Sequence, residues 1–223
     1  MKKRFLSIMM LLSMLILASC KKQEIKTTPL ASIKIINAVV GGTALQFGTN
    51  SVKISNSTYT AYGVLTGSQV LKLSSTVAPN LVYYNQIKDF VNGGMYSLFL
   101  TGTPTVVESV FLKEEKIPSH TANVFGVRVI NLITGDMPIN VNLQGSASGS
   151  FISSLAYKSI STFKDVSALD SEGDKVFEFR NVATGDLITS FTVPGYDLPR
   201  FRNITLVIFG DITAINSLRV NDY

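Results

Sequence analysis

Few side chains in this sequence of 223 residues are equipped for chemistry. It contains one thiol, Cys20, one imidazole, His120, and no tryptophan. A Ser-His-Asp relay needs its imidazole held between a hydroxyl and a carboxylate. His120 instead falls in "KIPSHTAN", next to Pro118 and Ser119, which reads as a polar connector with the ring exposed. Zinc needs a cluster of His and Cys, and one of each far apart does not provide it. No G-x-x-x-x-G-K-[ST], H-E-x-x-H or G-x-S-x-G occurs, so the residues argue against an enzyme and imply no cofactor. In "DSEGD", Asp170, Glu172 and Asp174 place carboxylates at alternate positions, as oxygen ligands around calcium would require. Lys175 stands where an EF-hand loop has its glycine and Asn181 where it has its last glutamate, which favours a solvated hairpin turn over a calcium site. Tyr59, Tyr62 and Tyr84 are candidate stacking surfaces for sugar rings. Packing in the core competes with that role, and strand alternation sends Tyr83 and Tyr84 to opposite faces, one of them inward.

The setting of Cys20 is more specific. Met1-Lys2-Lys3-Arg4 is followed by an apolar run from Phe5 to Ala18, the layout of a secretory signal and too short for the ~20 residues of a membrane-spanning helix. Leu17-Ala18-Ser19-Cys20 resembles the lipobox of bacterial lipoproteins, in which the thiol receives a diacylglyceryl group and the cysteine becomes the first mature residue. The expected layout is a signal peptide over residues 1–19 and a lipidated, flexible tether over 20–30. With Cys20 modified, no thiol is left for a disulfide. From Ala31 onward the chain carries 14 residues of each charge sign, which removes the electrostatic footprint of nucleic-acid binding.

Beyond Ala31, short β-rich bursts alternate with Gly, Asn, Ser, Thr and Pro clusters, and no helical periodicity is sustained. Strands are predicted in the first half at 32–39, 45–47, 51–54, 69–74, 81–87, 95–101 and 106–113. An internal repeat organises the chain. "IKIINA" from Ile33 is echoed by "VRVINL" from Val127, with Lys34 and Arg128, and Asn37 and Asn131, in register at an offset of 94. Ala61-Tyr62 pairs with Ala156-Tyr157 at 95, and Gly102, Ser109 and Leu112 pair with Gly210, Ser217 and Val220 at 108. The growing offset predicts an insertion between Lys158 and Asn203, with "RNVATGDLITSF" as the longer hairpin. The expected fold is all-β: two tandem antiparallel β-sandwich domains over residues 31–116 and 122–223, joined by a linker over 117–121.

"ASIKIINA" from Ala31, "YSLFLTGT" from Tyr96, "ESVFLKEE" from Glu108, "VRVINLITGDMPINVNL" from Val127 and "LAYKSISTFKDV" from Leu155 are spread over most of the mature chain. In these segments the sequence resembles bacterial lipoproteins, common in Bacteroidota, with tandem Ig-like domains of domain-of-unknown-function family 4397. It departs from the family in "NAVVGGTALQFG", which lacks the usual Asp and Pro. The resemblance implies an Ig-like fold, export and lipid anchoring in the cell envelope, and it implies no activity. Two functions stand open: a recognition or adhesion module for a glycan or protein, or a structural envelope component that assembles through exposed strand edges. Lys21 after the cysteine, rather than aspartate, does not suggest retention in the inner membrane, so the outer membrane is expected, its periplasmic or surface face left open.

Overall fold

The computed structural model describes residues 28–222, and among them every regular element except two short 3₁₀ turns is a strand. The first half contains β1 (Leu30–Asn37), β2 (Leu45–Phe47), β3 (Lys53–Ile54), β4 (Thr58–Leu65), β5 (Gly67–Ser75), β6 (Val82–Phe90), β7 (Met95–Thr103) and β8 (Val106–Lys113). The second contains β9 (Val124–Ile133), β10 (Ile139–Leu143), β11 (Ile152–Leu155), β12 (Lys164–Ser167), β13 (Lys175–Asn181), β14 (Leu187–Val193), β15 (Asn203–Asp211) and β16 (Ala214–Asn221). Sheet order β4-β1-β7-β8 faces β3-β2-β5-β6, and the same orders recur eight strands later as β12-β9-β15-β16 and β11-β10-β13-β14. The repeat read from the sequence is thus a repeat of topology. One pair in each half, β1 with β7 and β9 with β15, is parallel, which departs from the purely antiparallel expectation. Between those strands the chain crosses to the outer sheet and back twice, the kind of crossover that parallel neighbours require.

Period-two alternation explains a four-layer arrangement. Ile33 and Ile35 of β1, with Tyr96, Leu98 and Leu100 of β7, point into the first sandwich. Val127 and Val129 of β9, with Ile204, Leu206 and Ile208 of β15, point into the second. The intervening residues of the same strands, Ile36 and Phe99 in one half and Ile130, Leu132, Val207 and Phe209 in the other, form a third buried cluster between the two inner sheets. These strands are covered on both faces, which is why "SLFLTG" and "TLVIFG" read as unbroken apolar runs. Each fully buried Phe, Leu or Ile contributes about 1.5–3 kcal/mol, so three contiguous cores hold the chain without a disulfide.

Three local expectations are corrected. β4 was not among the predicted strands; it is an edge strand whose only buried positions are Tyr62 and Val64, so its sequence shows little alternation. Tyr83 and Tyr84 are both buried, because the register slips from Leu73↔Tyr84 to Ser74↔Val82 and leaves Tyr83 as the extra residue of a bulge. Ala156-Tyr157 is not the counterpart of Ala61-Tyr62. Ile33 pairs with Tyr62 as Val127 pairs with Lys164, and Ser57 and Lys158 share a left-handed backbone, at φ 57° and 56°. The second copy is first lengthened in the β10–β11 hairpin, before Lys158, and again between β12 and β13. The β13–β14 hairpin is not the long one.

Candidate functional site

The repeat brings its charged residues together at the seam between the inner sheets. Lys34 of β1 donates from Nζ to the Asn221 carbonyl at 2.6 Å and to Asp222 Oδ1 at 3.0 Å, just past the last strand of the other half. Arg128 of β9 donates from Nη1 and Nη2 to the two oxygens of Glu114 at 2.8 and 2.7 Å, just past the last strand of the first half. Lys34 and Arg128 are counterparts in the repeat, as are Glu114 and Asp222, so the two ion pairs are exchanged across a pseudo-twofold axis. Such reciprocity is the signature of an isologous interface, here within one chain. The supporting hydroxyls are also counterparts: Ser97 donates to Glu114, and Thr205 donates to Asp222. Arg128 Nε donates to Thr205 Oγ1 at 2.7 Å, linking the two pairs into one network, and the Arg128 guanidinium lies 4.5 Å from the Phe163 ring centroid. All four charged side chains are buried.

Further along the strands, Thr101 donates to the Leu132 carbonyl, and Glu108 accepts from Tyr157 and Lys158. Residues level with the start of β1 therefore meet residues level with the start of β9, and the far ends meet likewise, so the inner sheets run in the same sense and the starts of β1 and β9 lie at one common end. Lys158 beside Glu108 holds that carboxyl below the usual carboxylate range. Burial, reinforced by the hydrogen bond to Glu108, pushes the Tyr157 phenol up to about 12.

On the outer sheet of the first half is a cleft of about 480 Å³ lined by Gln46, Thr49, Lys53, Lys72, Ser74 and Thr76, among others, with no carboxylate in its lining. Neither lysine forms an ion pair among the described residues. The cleft offers two ammoniums, hydroxyls and an amide, which suits a ligand rich in hydroxyl or anionic oxygens.

The residues singled out from the sequence are not gathered into one site. Cys20 lies outside the described residues. The side chain of Asp170 is not described, while Glu172 accepts from Ser167 and pairs with Lys175, and Asp174 accepts the Gly195 N–H. The hydrogen bond from Lys175 holds the Glu172 carboxyl below its usual range. Tyr59 sits at the seam, where its hydroxyl accepts the Asn221 N–H. Tyr62 is buried against Phe47 and donates to the Val52 carbonyl. Tyr84 is buried and donates to Gln86, and burial pushes both phenols up.

His120 is not the exposed connector residue expected: its side chain is buried, with Nε2 2.8 Å from Asn203 Oδ1 and Nδ1 3.4 Å from Asp165. Asn203 donates from Nδ2 to the Pro118 carbonyl, so Oδ1 faces the ring and an amide occupies the place where a relay would need a hydroxyl. A Cβ on Gly126 would stand 2.0 Å from Asn203 Oδ1, so glycine is what lets the connector dock. Sequence reading missed the seam and the outer cleft. For the seam, the signal available was the shared register of Lys34 and Arg128 inside otherwise apolar strands.

No family model matches this sequence, and no curated protein does. Among solved structures, the Bacillus anthracis TIE protein shows a similarity at 11% identity over 82% of this chain and 34% of that one, with a TM-score of 0.24. The chain thus spans about a third of that protein's length, and the likeness carries no argument about fold or function.

Proposed function

We propose that this is a lipid-anchored, exported envelope protein without catalytic activity, acting as a recognition module for a glycan. The observation that carries the reading is the outer-sheet cleft, whose lining supplies the donors of Lys53, Lys72 and Gln46 beside the hydroxyls of Thr49, Ser74 and Thr76. The lipobox-like segment at Cys20 supports attachment to a membrane, and the interlocked seam supports a stiff scaffold for the cleft. Glycan-array binding by the purified protein tests the proposal. Replacing Lys53 and Lys72 together by Ala is expected to weaken binding at least about tenfold, since a hydrogen bond to a charged group contributes roughly 1.5–3 kcal/mol. Saturable binding that the double substitution leaves unchanged would move the site elsewhere, and no binding to any glycan would defeat the reading.

One observation favours assembly instead. β6 is an outer edge strand whose Ile87 is 67% exposed beside its cross-strand partner Val70 at 61%. An edge with unpaired backbone groups and an apolar outer pair is suited to strand addition by another protein. Co-purification of a stable partner after mild detergent extraction, lost in Ile87→Lys, would establish that role.

A further inference from the structure

The end of the molecule where β1 begins carries a surface of unusual composition. Tyr196, on the 3₁₀ turn Gly195–Asp197, is 94% exposed, and Phe201 is half exposed with φ 60°. A left-handed backbone is costly for an aromatic residue, and the surrounding loop enforces it: Phe201 N–H donates to the Val124 carbonyl and Arg202 N–H to that of Pro199. Beside them is a cleft of about 400 Å³ lined by Arg200, Arg202 and Arg219. Asp197 in that cleft is answered by Arg219, and Arg202 forms no ion pair among the described residues. The cleft is positively charged and flanked by two projecting aromatic rings.

Its place in the fold says what it faces. Asn221, which also lines the cleft, accepts from Lys34, and Lys34 stands four residues, about 13 Å of strand, from Leu30. On the first half, Leu65 and Val91 lie exposed at the same end, Leu65 of β4 paired with Leu30 of β1. From Leu30 the chain leads back ten residues to Cys20, a span of at most ~35 Å when fully extended. Lys21, Lys22 and Lys26 lie along it.

We propose that this end rests on the bilayer itself, with Tyr196 and Phe201 entering the interface and Arg202 binding the phosphate of an anionic lipid headgroup. Aromatic rings are favoured at headgroup depth, and arginine matches phosphate with planar donors. Acyl chains and this surface together would be two membrane signals, the second fixing the orientation of the module. The inference rests on the reading of Cys20 as lipidated.

Because the chain has no tryptophan, Tyr196→Trp is a reporter without background, and Ile212→Trp, at the turn between β15 and β16 and so at the end opposite the start of β1, is its control. The lipidated variants would be reconstituted into vesicles of phosphatidylcholine with and without phosphatidylglycerol, carrying brominated acyl chains. Quenching several-fold stronger at position 196 than at 212 is expected, greatest with phosphatidylglycerol and reduced by Arg202→Glu. Vesicle flotation with equal quenching at the two positions overturns this inference and leaves the anchor intact. A protein that does not float with vesicles overturns the anchor and the inference together.

Discussion

Glu114→Ala is the sharpest perturbation of the seam. It removes both acceptors of the Arg128 guanidinium, at 2.8 and 2.7 Å, and leaves that cation 6% exposed between two sheets. Thr205 remains as a neutral partner and Asp222 lies 3.8 Å away, too far for a hydrogen bond. Breaking a buried pair from one side costs about 3–5 kcal/mol, because the remaining charge is desolvated with its main partner gone and only Thr205 and the more distant Asp222 carboxylate left to answer it. For a chain of this size that lowers Tm by roughly 6–20 °C. Removing both charges, as Glu114→Leu with Arg128→Met, is expected to restore most of the loss, since apolar replacements of a buried pair are often near neutral. Urea unfolding of the wild type, Glu114→Leu alone, Arg128→Met alone and the double variant closes a double-mutant cycle. A coupling energy below about 1 kcal/mol would place the pair in the class of exposed surface bridges and refute the interlocked seam. Asp222→Ala tests the reciprocal pair; it should destabilise in the same direction, more weakly, because Lys34 keeps its bond to the Asn221 carbonyl.

Other perturbations bear on the repeat and the connector. Gly102→Ala and Gly210→Ala should each cost at least the ~1–2 kcal/mol of a left-handed backbone, because both glycines have positive φ and each Cβ would stand 2.2 Å from a carbonyl oxygen of the facing strand. Thermal melts of the pair check that they behave as equivalents. Gly126→Ala should release the connector, read as faster proteolysis near Pro118. At high pH, one tyrosine should ionise near pH 12 in an ultraviolet titration, and Tyr157→Phe should abolish that component. The linked stability is complete below the ordinary value of 10.0 and declines as pH rises toward 12, where the unfolded chain ionises more readily. Glu108 acts in the opposite sense: its small, salt-screened contribution is present above 4.5 and is lost as pH falls through its depressed folded value.

Much of the fold could be read from residue patterns, and the limits of that reading are physical. β2 and β8 were legible to the residue, because each is a short β-rich run bounded by turn residues. β4 was not, because an edge strand buries only alternate residues over part of its length and looks like a loop. The register of Lys34 with Arg128 was visible, but their role was not. A basic residue in a strand ordinarily faces water, and the acids that bury these two lie at the end of the opposite copy, linked to them only by the folded seam. His120 was misjudged for a similar reason: a polar connector looks mobile until Asn203 and Gly126, from distant strands, provide its socket. The outer cleft left no local signal, since Gln46, Lys53 and Lys72 come from three strands and each alone is an ordinary surface residue.

Besides the outer cleft, the proposed role as an anchored envelope protein depends on lipidation of Cys20. Intact-mass measurement of the mature protein from native membranes tests it directly. The expected result is a chain that begins at Cys20 and carries a diacylglyceryl adduct. A mature chain that begins at another residue, or one that carries Cys20 unmodified, would contradict the account.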